Sequence, residues 1–423
     1  MCIVCQGVVS PSVYRVFVSS EKKFEECLDN HAKYVIVIDN MKYKPYELKD
    51  VNESSNRKLF NVISTFAGGG GSSTGYRLSG GEILCVNEFV EEARNTYSDN
   101  YPDTPILPDD IKKLTGDSFL NLVGLKQGEL DILDGSPPCS AFSVAGKLSH
   151  GAGGKHSDGW GQTKKYSDDK MVENIEDLFF EFLRIAKEIK PKVIIGENVK
   201  GLTVGEAKQY FNRIQNTFEE IGYEVIAKVL DSRYFGVSQT RSRVFFIGIR
   251  EDVCETVGLN FMTLSSVFPT ESEDVIPLKE CVKGLTYDQD EIDYLTGKFV
   301  NAAVWKDTGI HMPKNPPKVL SGMDYHPKGH HFNLKRCSLE VPAPTLTAMG
   351  SRENSGGAFH WNEPRKLTLG ELKRIQSLPD DFKLTGKWGQ KAERIGRMVP
   401  PLMMKAIADS VYEKILKPYK EKQ

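Results

Sequence analysis

The sequence has no long apolar segment and no concentration of cysteine, and both absences limit what the chain can be. No apolar run approaches the roughly 18 residues of a membrane-spanning helix, so we expect no membrane partner. The first residues, MCIVCQGVVSPS, lack the basic region of a secretory signal. The eight cysteines are scattered along 423 residues, which indicates a reduced, cytoplasmic protein rather than a disulfide-stabilised secreted one.

Metal-binding patterns are also scarce. Cys2 and Cys5, followed by Cys27 and His31, have a spacing that zinc ligands tolerate. A lone C-x2-C at a chain end is a weak signal, so we expect no metal, with a zinc site as the alternative.

The net charge is only −2, but the charge is unevenly distributed. From residue 311 to the end there are 20 Lys and Arg against 11 Asp and Glu, a net of +9, so the preceding residues carry −11. Half of the eight histidines lie between 311 and 331. A basic face of this kind fits contact with phosphate. An ordinary solvated, lysine-rich tail is the alternative interpretation.

A glycine-rich loop follows the first strongly predicted strand. The run 59–66 is β-rich, and glycines occupy positions 68–71, where they let a ligand approach the backbone. A second strand, 82–86, precedes Glu88, which lies 20 positions after the first glycine. At this spacing an acidic side chain reaches ribose hydroxyls in nucleotide-binding folds. The loop does not match the pyrophosphate-binding GxGxxG pattern, so the sequence favours an adenosine-bearing cofactor without a pyrophosphate.

The stretch LDILDGSPPCSAFSVAGK, from 130 to 147, places a cysteine at the end of another predicted strand. Pro137 and Pro138 stop the strand and hold Cys139 on a stiff, non-helical turn. Open α/β sheets carry their chemistry at this edge. A thiolate here is suited to nucleophilic attack on electron-poor carbon. The alternative interpretation, a small buried hydrophobe, is the commoner fate of a free cysteine.

Two later segments bring charged side chains to the same edge. A helix predicted over 172–189 leads to the buried strand Val193–Val199, which carries Glu197 near its carboxyl end. Further on, Arg241 and Arg243 enter the strand predicted at 244–249, and planar guanidinium groups suit a base oxygen or a phosphate. A structural carboxylate that caps the following turn is the alternative role for Glu197.

These motifs, in this order, resemble those of the DNA (cytosine-5)-methyltransferases of bacteria and phages. The resemblance runs from about residue 61 to about 408. Its most specific pieces are a PPC tripeptide, an ENV tripeptide and a QxRxR pattern. The matching segments are Phe66-Ala67-Gly68-Gly69-Gly70-Gly71, Glu88, Asp117, Pro137-Pro138-Cys139, Glu197-Asn198-Val199, Gln239-Thr240-Arg241-Ser242-Arg243, Arg365-Lys366-Leu367-Thr368 and Val399-Pro400-Pro401.

The resemblance implies a role for each matching residue. Cys139 would be the nucleophile, Glu197 would hold the cytosine at ring nitrogen 3 and its amino group, and Arg243 would hold the carbonyl, with Arg241 beside it. The cofactor would be S-adenosylmethionine, which leaves as S-adenosylhomocysteine. The cofactor contacts implied or expected are Phe66, Gly68, Gly70, Glu88, Phe89, Asp117, Ser118, Pro138, Leu178 and Val399.

The same resemblance implies an α/β fold, a Rossmann-like S-adenosylmethionine-dependent methyltransferase sheet with a smaller target-recognition domain. We expect an N-terminal extension (1–57), a catalytic domain (58–250), a recognition domain (251–364) and C-terminal motifs (365–423) whose last helix returns to the catalytic domain. Residues 140–170 are expected to form a lid. Arg397 stands where the family's last motif usually has Asn, so it is left out of the cofactor set.

The expected partner is double-stranded DNA, bound by a monomer in the prokaryotic cytosol or a phage-infected cell, with a cognate restriction endonuclease as a further expectation. An RNA cytosine-5 methyltransferase and a non-catalytic DNA-binding relative are the alternatives. We expect Lys314 to Met349 to read the bases beside the target cytosine, with Arg336 and Asn333 as the first choices. The acidic half, Glu271 to Asp293, is the alternative reader.

Overall fold

A computed structural model describes residues 43–138, 177–205, 207–348, 350 and 352–423, and also the backbone of four short strands outside these ranges. The strands, in chain order, are β1 (Val13–Val16), β2 (Lys33–Ile36), β3 (Phe60–Thr65), β4 (Gly81–Asn87), β5 (Ile106–Leu107), β6 (Ile132–Gly135), β7 (Lys164–Lys165), β8 (Met171–Val172), β9 (Val193–Val199), β10 (Tyr223–Asp231), β11 (Gln239–Thr240), β12 (Ser242–Arg250), β13 (Leu320–Ser321), β14 (Leu334–Arg336), β15 (Ala343–Pro344) and β16 (Gly357–Phe359).

Helices connect these strands. The described α-helices are Leu48–Ser55, Gly71–Leu78, Glu91–Asn100, Gly116–Val123, Leu178–Ile189, Ala207–Glu220, Glu251–Val257, Leu278–Cys281, Gln289–Val300, Ala303–Asp307, Leu369–Ile375, Trp388–Arg397, Pro401–Val411 and Lys417–Glu421, with a π-helical turn at Tyr412–Leu416. Within the described ranges, no helix combines the length and the hydropathy that a membrane crossing would require.

By its contacts the chain divides into residues 1–44 and 45–423. In the first unit, β1 and β2 pair in parallel, and the β-rich runs 12–18 and 34–38 of the sequence predict strands at these two places. The helix Leu48–Ser55, which the sequence analysis assigned to an N-terminal extension, belongs to the second unit. Its Ser55 hydroxyl donates to the carbonyl of Gly81 at the start of β4. The domain boundaries at 57, 250 and 364 stay predictions.

The second unit is built on a seven-stranded sheet in the order β10-β12-β9-β6-β3-β4-β5. β12 runs antiparallel to its neighbours β9 and β10, and the remaining pairs are parallel. The chain starts at β3, builds outward to β5, and then continues on the other side of β3 with β6. The topological switch point therefore lies between β3 and β6, where open sheets of this class bind ligands beyond the carboxyl ends of the strands. The α/β fold expected from the sequence is confirmed.

The central strands are apolar because helices cover both faces of the sheet. Val193, Ile194 and Ile195 of β9 are fully buried. The helix Leu178–Ile189 packs on one face of the sheet through Phe179 and Phe182, which lie against Gly196 of β9. This rigid core fixes the strand ends from which the polar side chains of the site extend.

The chain returns to this sheet at its C-terminus. Pro401 begins a helix that packs on the helix Gly71–Leu78 so closely that a Cβ at Gly75 would lie 2.6 Å from the Pro401 carbonyl oxygen. Ser79 donates a hydrogen bond to Asp409. The last motif is thereby held beside the glycine loop that follows β3.

Candidate active site

The loop after β3 has a backbone conformation that few residues adopt. Phe66 has φ +53°, which is unusual for a residue other than glycine and typical of strain at a functional site. Gly68 (φ +57°) would place a Cβ in open space, whereas Gly71 would place one 2.5 Å from the Val399 carbonyl oxygen. Gly70, with φ +101°, is the N-cap of the helix that follows. The loop thus presents free space at Gly68 and is held by the C-terminal segment on its other side.

Glu88, at the end of β4, closes this loop. Its carboxylate accepts from the amide of Gly68 at 2.8 Å and from that of Val90 at 2.7 Å, and the side chain is only 8% exposed. Burial raises the pKa of Glu88, and the two backbone donors oppose that shift, as does the charge of Arg394. Each carboxylate oxygen can accept a further hydrogen bond, so Glu88 is able to bind a ribose hydroxyl beside Gly68.

The remaining residues expected to contact the cofactor differ in how much surface they offer. Asp117 is exposed in the first turn of the helix Gly116–Val123, and Ser118 shares a capping box with Thr115 there. Phe89 and Pro138 are half-buried. Leu178 and Val399, in contrast, are 3% and 4% exposed, so their side chains belong mainly to the core.

The region around the glycine loop fits an adenosine-bearing group. It combines open space at Gly68, the buried carboxylate of Glu88 and the half-buried rings of Phe66 and Phe89. The open side of Gly68 admits a ligand that any other residue would crowd, and Glu88 supplies an acceptor that is already oriented. Phe66 and Phe89 both keep part of their rings accessible. These residues therefore fit the nucleoside part of S-adenosylmethionine.

Glu197 and Arg243 form an ion pair at the junction of β9 and β12. Arg243 Nε lies 3.0 Å from Glu197 Oε1, and the two side chains are 15% and 10% exposed. Burial lowers the pKa of Arg243, and the charge of Glu197 opposes that shift. Asn198, the next residue in β9, donates to the carbonyl of Pro137, so the end of β9 is bonded to the segment that leads to the cysteine. The structure brings Glu197 and Arg243 together as the sequence analysis expected.

Arg241 has a different place. It is 2% exposed, and its Nη1 donates to the carbonyls of Leu346 (2.8 Å) and Gly396 (3.0 Å). β11, just before it, pairs in parallel with β15. Through these bonds Arg241 holds the segments around Leu346 and Gly396 in place, so we describe it as a positioning residue. The sequence had instead predicted that Arg241 lies beside the catalytic groups as a member of the catalytic set.

A buried carboxyl group that the sequence analysis did not single out lies just before the cysteine loop. Asp134, at the end of β6, is 1% exposed and accepts from the hydroxyls of Ser64 (2.7 Å) and Tyr76 (3.0 Å). Burial raises its pKa to about 7, with a smaller contribution from the charge of Glu197. An aspartate inside an apolar strand was the signal that could have revealed it.

Cys139 and most of the predicted lid, 140–170, lie outside the described residues. So do the zinc ligands considered above, Cys2, Cys5, Cys27 and His31. In the part of the chain that is described, no group of three His, Cys, Asp or Glu side chains has the geometry of a metal site.

One of the two first choices for base reading is wrong. Arg336 is 1% exposed and donates to the carbonyls of His360, Trp361 and Gly309, and its guanidinium lies 4.5 Å from the centre of the Phe359 ring. All of this contact is internal, so the side chain has no free edge for DNA. Asn333 is exposed.

Comparison with known proteins gives consistent matches. The family model for C-5 cytosine-specific DNA methylases matches residues 60–413. Type II methyltransferase M1.HphI of Haemophilus parahaemolyticus is 30% identical over 353 residues, 82% of this chain and 86% of that protein. Type II methyltransferase M.Sau96I of Staphylococcus aureus is 30% identical over 372 residues, 87% and 79% of the two chains.

The fold has relatives among solved structures. A DNA modification methyltransferase encoded within an Escherichia coli prophage superposes with a TM-score of 0.60 at 18% identity, over 85% of this chain and 99% of that one. The S. pombe Dnmt2 methyltransferase does so with a TM-score of 0.53 at 13% identity, over the same shares of the two chains.

Proposed function

We propose a residue-level mechanism for this chain, which belongs to the C-5 cytosine-specific DNA methylase family and is a DNA (cytosine-5-)-methyltransferase. Carbon 5 of cytosine is a poor nucleophile, so the reaction needs a way to enrich it in electrons. In our proposal Cys139 adds as a thiolate to carbon 6, and the electron pair of the 5,6 double bond is displaced to make carbon 5 an enamine-like nucleophile. The support is its position in the sequence, directly after Pro137 and Pro138 and four residues beyond the last residue of β6.

The buried ion pair is the observation that carries the proposal. Glu197 is placed to bond ring nitrogen 3 and the amino group of cytosine, which favours the charge that develops during addition. Arg243, already paired with it at 3.0 Å, holds that carboxylate in position and offers its remaining N–H groups to the carbonyl at position 2. In a site largely closed to water, such interactions are worth far more than at a surface.

The methyl group comes from S-adenosylmethionine, whose sulfonium makes it electrophilic. Glu88 would accept from the ribose hydroxyls, and the glycine loop from Phe66 to Gly70 would pass along the nucleoside. Phe89, Asp117, Ser118 and Pro138 would border the same cleft. Leu178 and Val399 support it mainly from the core. When bound, S-adenosylmethionine would supply a methyl group that carbon 5 takes as the methyl–sulfur bond breaks. Water would then accept the carbon 5 proton as the carbon 6–sulfur bond breaks and Cys139 leaves as the thiolate.

The substrate is a cytosine within double-stranded DNA. A thiol cannot reach carbon 6 within the base stack, so the target base must be flipped out. Bases around it are read by the segment Lys314 to Met349, without the buried Arg336. We infer that the protein acts as a monomer on DNA in the cytosol. Because its relatives are Type II methyltransferases, we also infer a cognate restriction endonuclease with the same recognition sequence.

Bisulfite sequencing tests this function. Genomic DNA from a host without cytosine-5 methylation, after expression of the protein, should contain 5-methylcytosine at one short sequence. Expression of Glu197→Gln should leave the same sites unmethylated. Methyl transfer from labelled cofactor to RNA and not to DNA, with purified protein, would refute the proposal in favour of the RNA alternative. No transfer to any nucleic acid would favour a non-catalytic role.

A further inference from the structure

The segment Tyr325–His331 forms an exposed turn at one edge of the three-stranded sheet β13-β14-β16. β14 and β16 are parallel, so the segments that precede them emerge at the same edge. The turn precedes β14, and Leu334 donates its amide hydrogen to the carbonyl of His331. Gly356 immediately precedes β16 and lies against the side chain of Asn333. The turn therefore shares its edge with the segment that arrives from β15.

That edge is connected to the active site by direct contacts. Arg241 bonds Leu346, and the hydroxyl of Thr347 in turn accepts from the amide of Gly350. Gly350 lies against Gly357, whose amide donates to the carbonyl of Asn333 at 2.7 Å. These contacts connect the buried Arg241 to the exposed turn.

His326 sets the conformation of the turn. Its Nδ1 accepts from the amides of Lys328 (3.1 Å) and His330 (3.3 Å), which requires the proton of the neutral ring to be on Nε2. Desolvation lowers the pKa of His326, and the neighbouring His330 and His331 lower it further, which favours the neutral ring. Gly329, with φ +64°, provides the reversal of the chain.

The imidazole of His330 is stacked on a neighbouring ring and is also exposed to solvent. The His330 imidazole stacks on His326 with a centroid distance of 4.8 Å and an interplanar angle of 6°. His331 packs edge-on against His326 at 5.2 Å. His330 is exposed, as is Lys328 beside it. A planar group with one donor and one acceptor matches base edges in the major groove, whereas a flexible ammonium suits phosphate.

We propose that His330 reads a base edge beside the target cytosine, that His326 acts through it as a positioning residue, and that Lys328 contacts a neighbouring phosphate. This inference rests on the proposed function, because it assumes a duplex bound with its cytosine at Glu197. Stacking and the two backbone bonds orient the ring before DNA arrives, so little conformational entropy is lost on binding.

Methylation of a plasmid library with randomised bases around the site, read by bisulfite sequencing, tests it. His330→Ala should relax discrimination at one position by about 5- to 150-fold and leave the other positions unchanged. His326→Ala should relax the same position, and the double variant should be no more relaxed than His330→Ala alone. Lys328→Gln is the matched control: it should weaken all sites equally and flatten the log–log salt dependence by about 0.9.

The outcomes separate the two levels of the proposal. If wild type methylates no DNA, the proposed function fails. If wild type is active and His330→Ala keeps the parental preference at every position, or loses all sites equally, the assignment of His330 is overturned. Calorimetric affinity for S-adenosylmethionine, unchanged in His330→Ala, verifies that this exposed substitution leaves the fold intact.

Discussion

Arg243 Nε and Glu197 Oε1 lie 3.0 Å apart in a largely buried pair. A carboxylate held in this way loses little freedom when a cytosine arrives. The pair is also costly to break, because removal of one partner leaves an uncompensated buried charge. The geometry therefore indicates that Arg243 holds the Glu197 carboxylate in one orientation.

Glu197→Gln should reduce methyl transfer by about 10²- to 10⁴-fold, because the amide no longer favours the charge that develops on the pyrimidine. Single-turnover kinetics with labelled cofactor measure it. Glu271→Gln is the matched control, since Glu271 pairs with Lys228 at 3.3 Å on the surface and should leave the rate unchanged. Equal rates for Glu197→Gln and wild type would show that the carboxylate has no catalytic role.

Glu88→Ala should weaken S-adenosylmethionine binding about tenfold or more, as expected when a charge-assisted hydrogen bond of about 1.5–3 kcal/mol is lost. The variant also frees the Gly68 amide that Glu88 now accepts from. Isothermal calorimetry on the protein without DNA reports the affinity. Glu82→Ala, on the same strand but paired at the surface with Lys58, should bind normally. Unchanged affinity in Glu88→Ala would mean that the ribose contact is misassigned.

Arg336→Met should destabilise the protein without changing the DNA sequence that it recognises. The carbonyl of His360 would lose its donor, and those of Trp361 and Gly309 would keep only the backbone amides of Asn315 and Met312, which should lower the free energy of unfolding by about 1–3 kcal/mol. Urea denaturation measures that loss, and sequencing of methylated sites measures preference. A stable variant with relaxed specificity would restore Arg336 as a reader.

Asp134 should make stability depend on pH between about 4 and 7. Its pKa is raised from 3.8 to about 7, so in this window the folded state binds one proton more than the unfolded state. The free energy of unfolding therefore falls as pH rises, by at most about 1.4 kcal/mol per pH unit. Asp134→Asn lacks this term, so its stability relative to wild type should increase between pH 4 and 7 and level off above. A constant difference across that window would contradict the shift.

The sequence predicted where several candidate site residues lie in the fold, because the relevant signals are local. A glycine loop, a proline pair and an acid at a strand end each follow from backbone geometry, and the structure places Gly68, Glu88 and Glu197 at strand ends as expected. The parallel order of the sheet then explains why such distant segments share one edge.

What the sequence could not predict depends on packing. Nothing local distinguishes the buried Arg336 from an exposed arginine in a basic segment, because its burial comes from a strand pairing with β16 and from the Phe359 ring. The role of Arg241 likewise depends on Leu346, more than 100 residues later in the chain. The burial of Asp134 could not be predicted either, because its hydrogen-bond donors Ser64 and Tyr76 are distant in sequence and are brought to it only by the fold.

The most direct measurement is covalent trapping on DNA that contains 5-fluorocytosine in the recognised sequence. Fluorine at carbon 5 blocks the final elimination, so wild-type protein with S-adenosylmethionine should form a denaturant-resistant complex whose mass equals that of protein plus methylated DNA. Cys139→Ala should bind cofactor normally and form no such complex. A Cys139→Ala protein that still methylates DNA, or a wild-type protein that methylates without forming the adduct, would contradict the account.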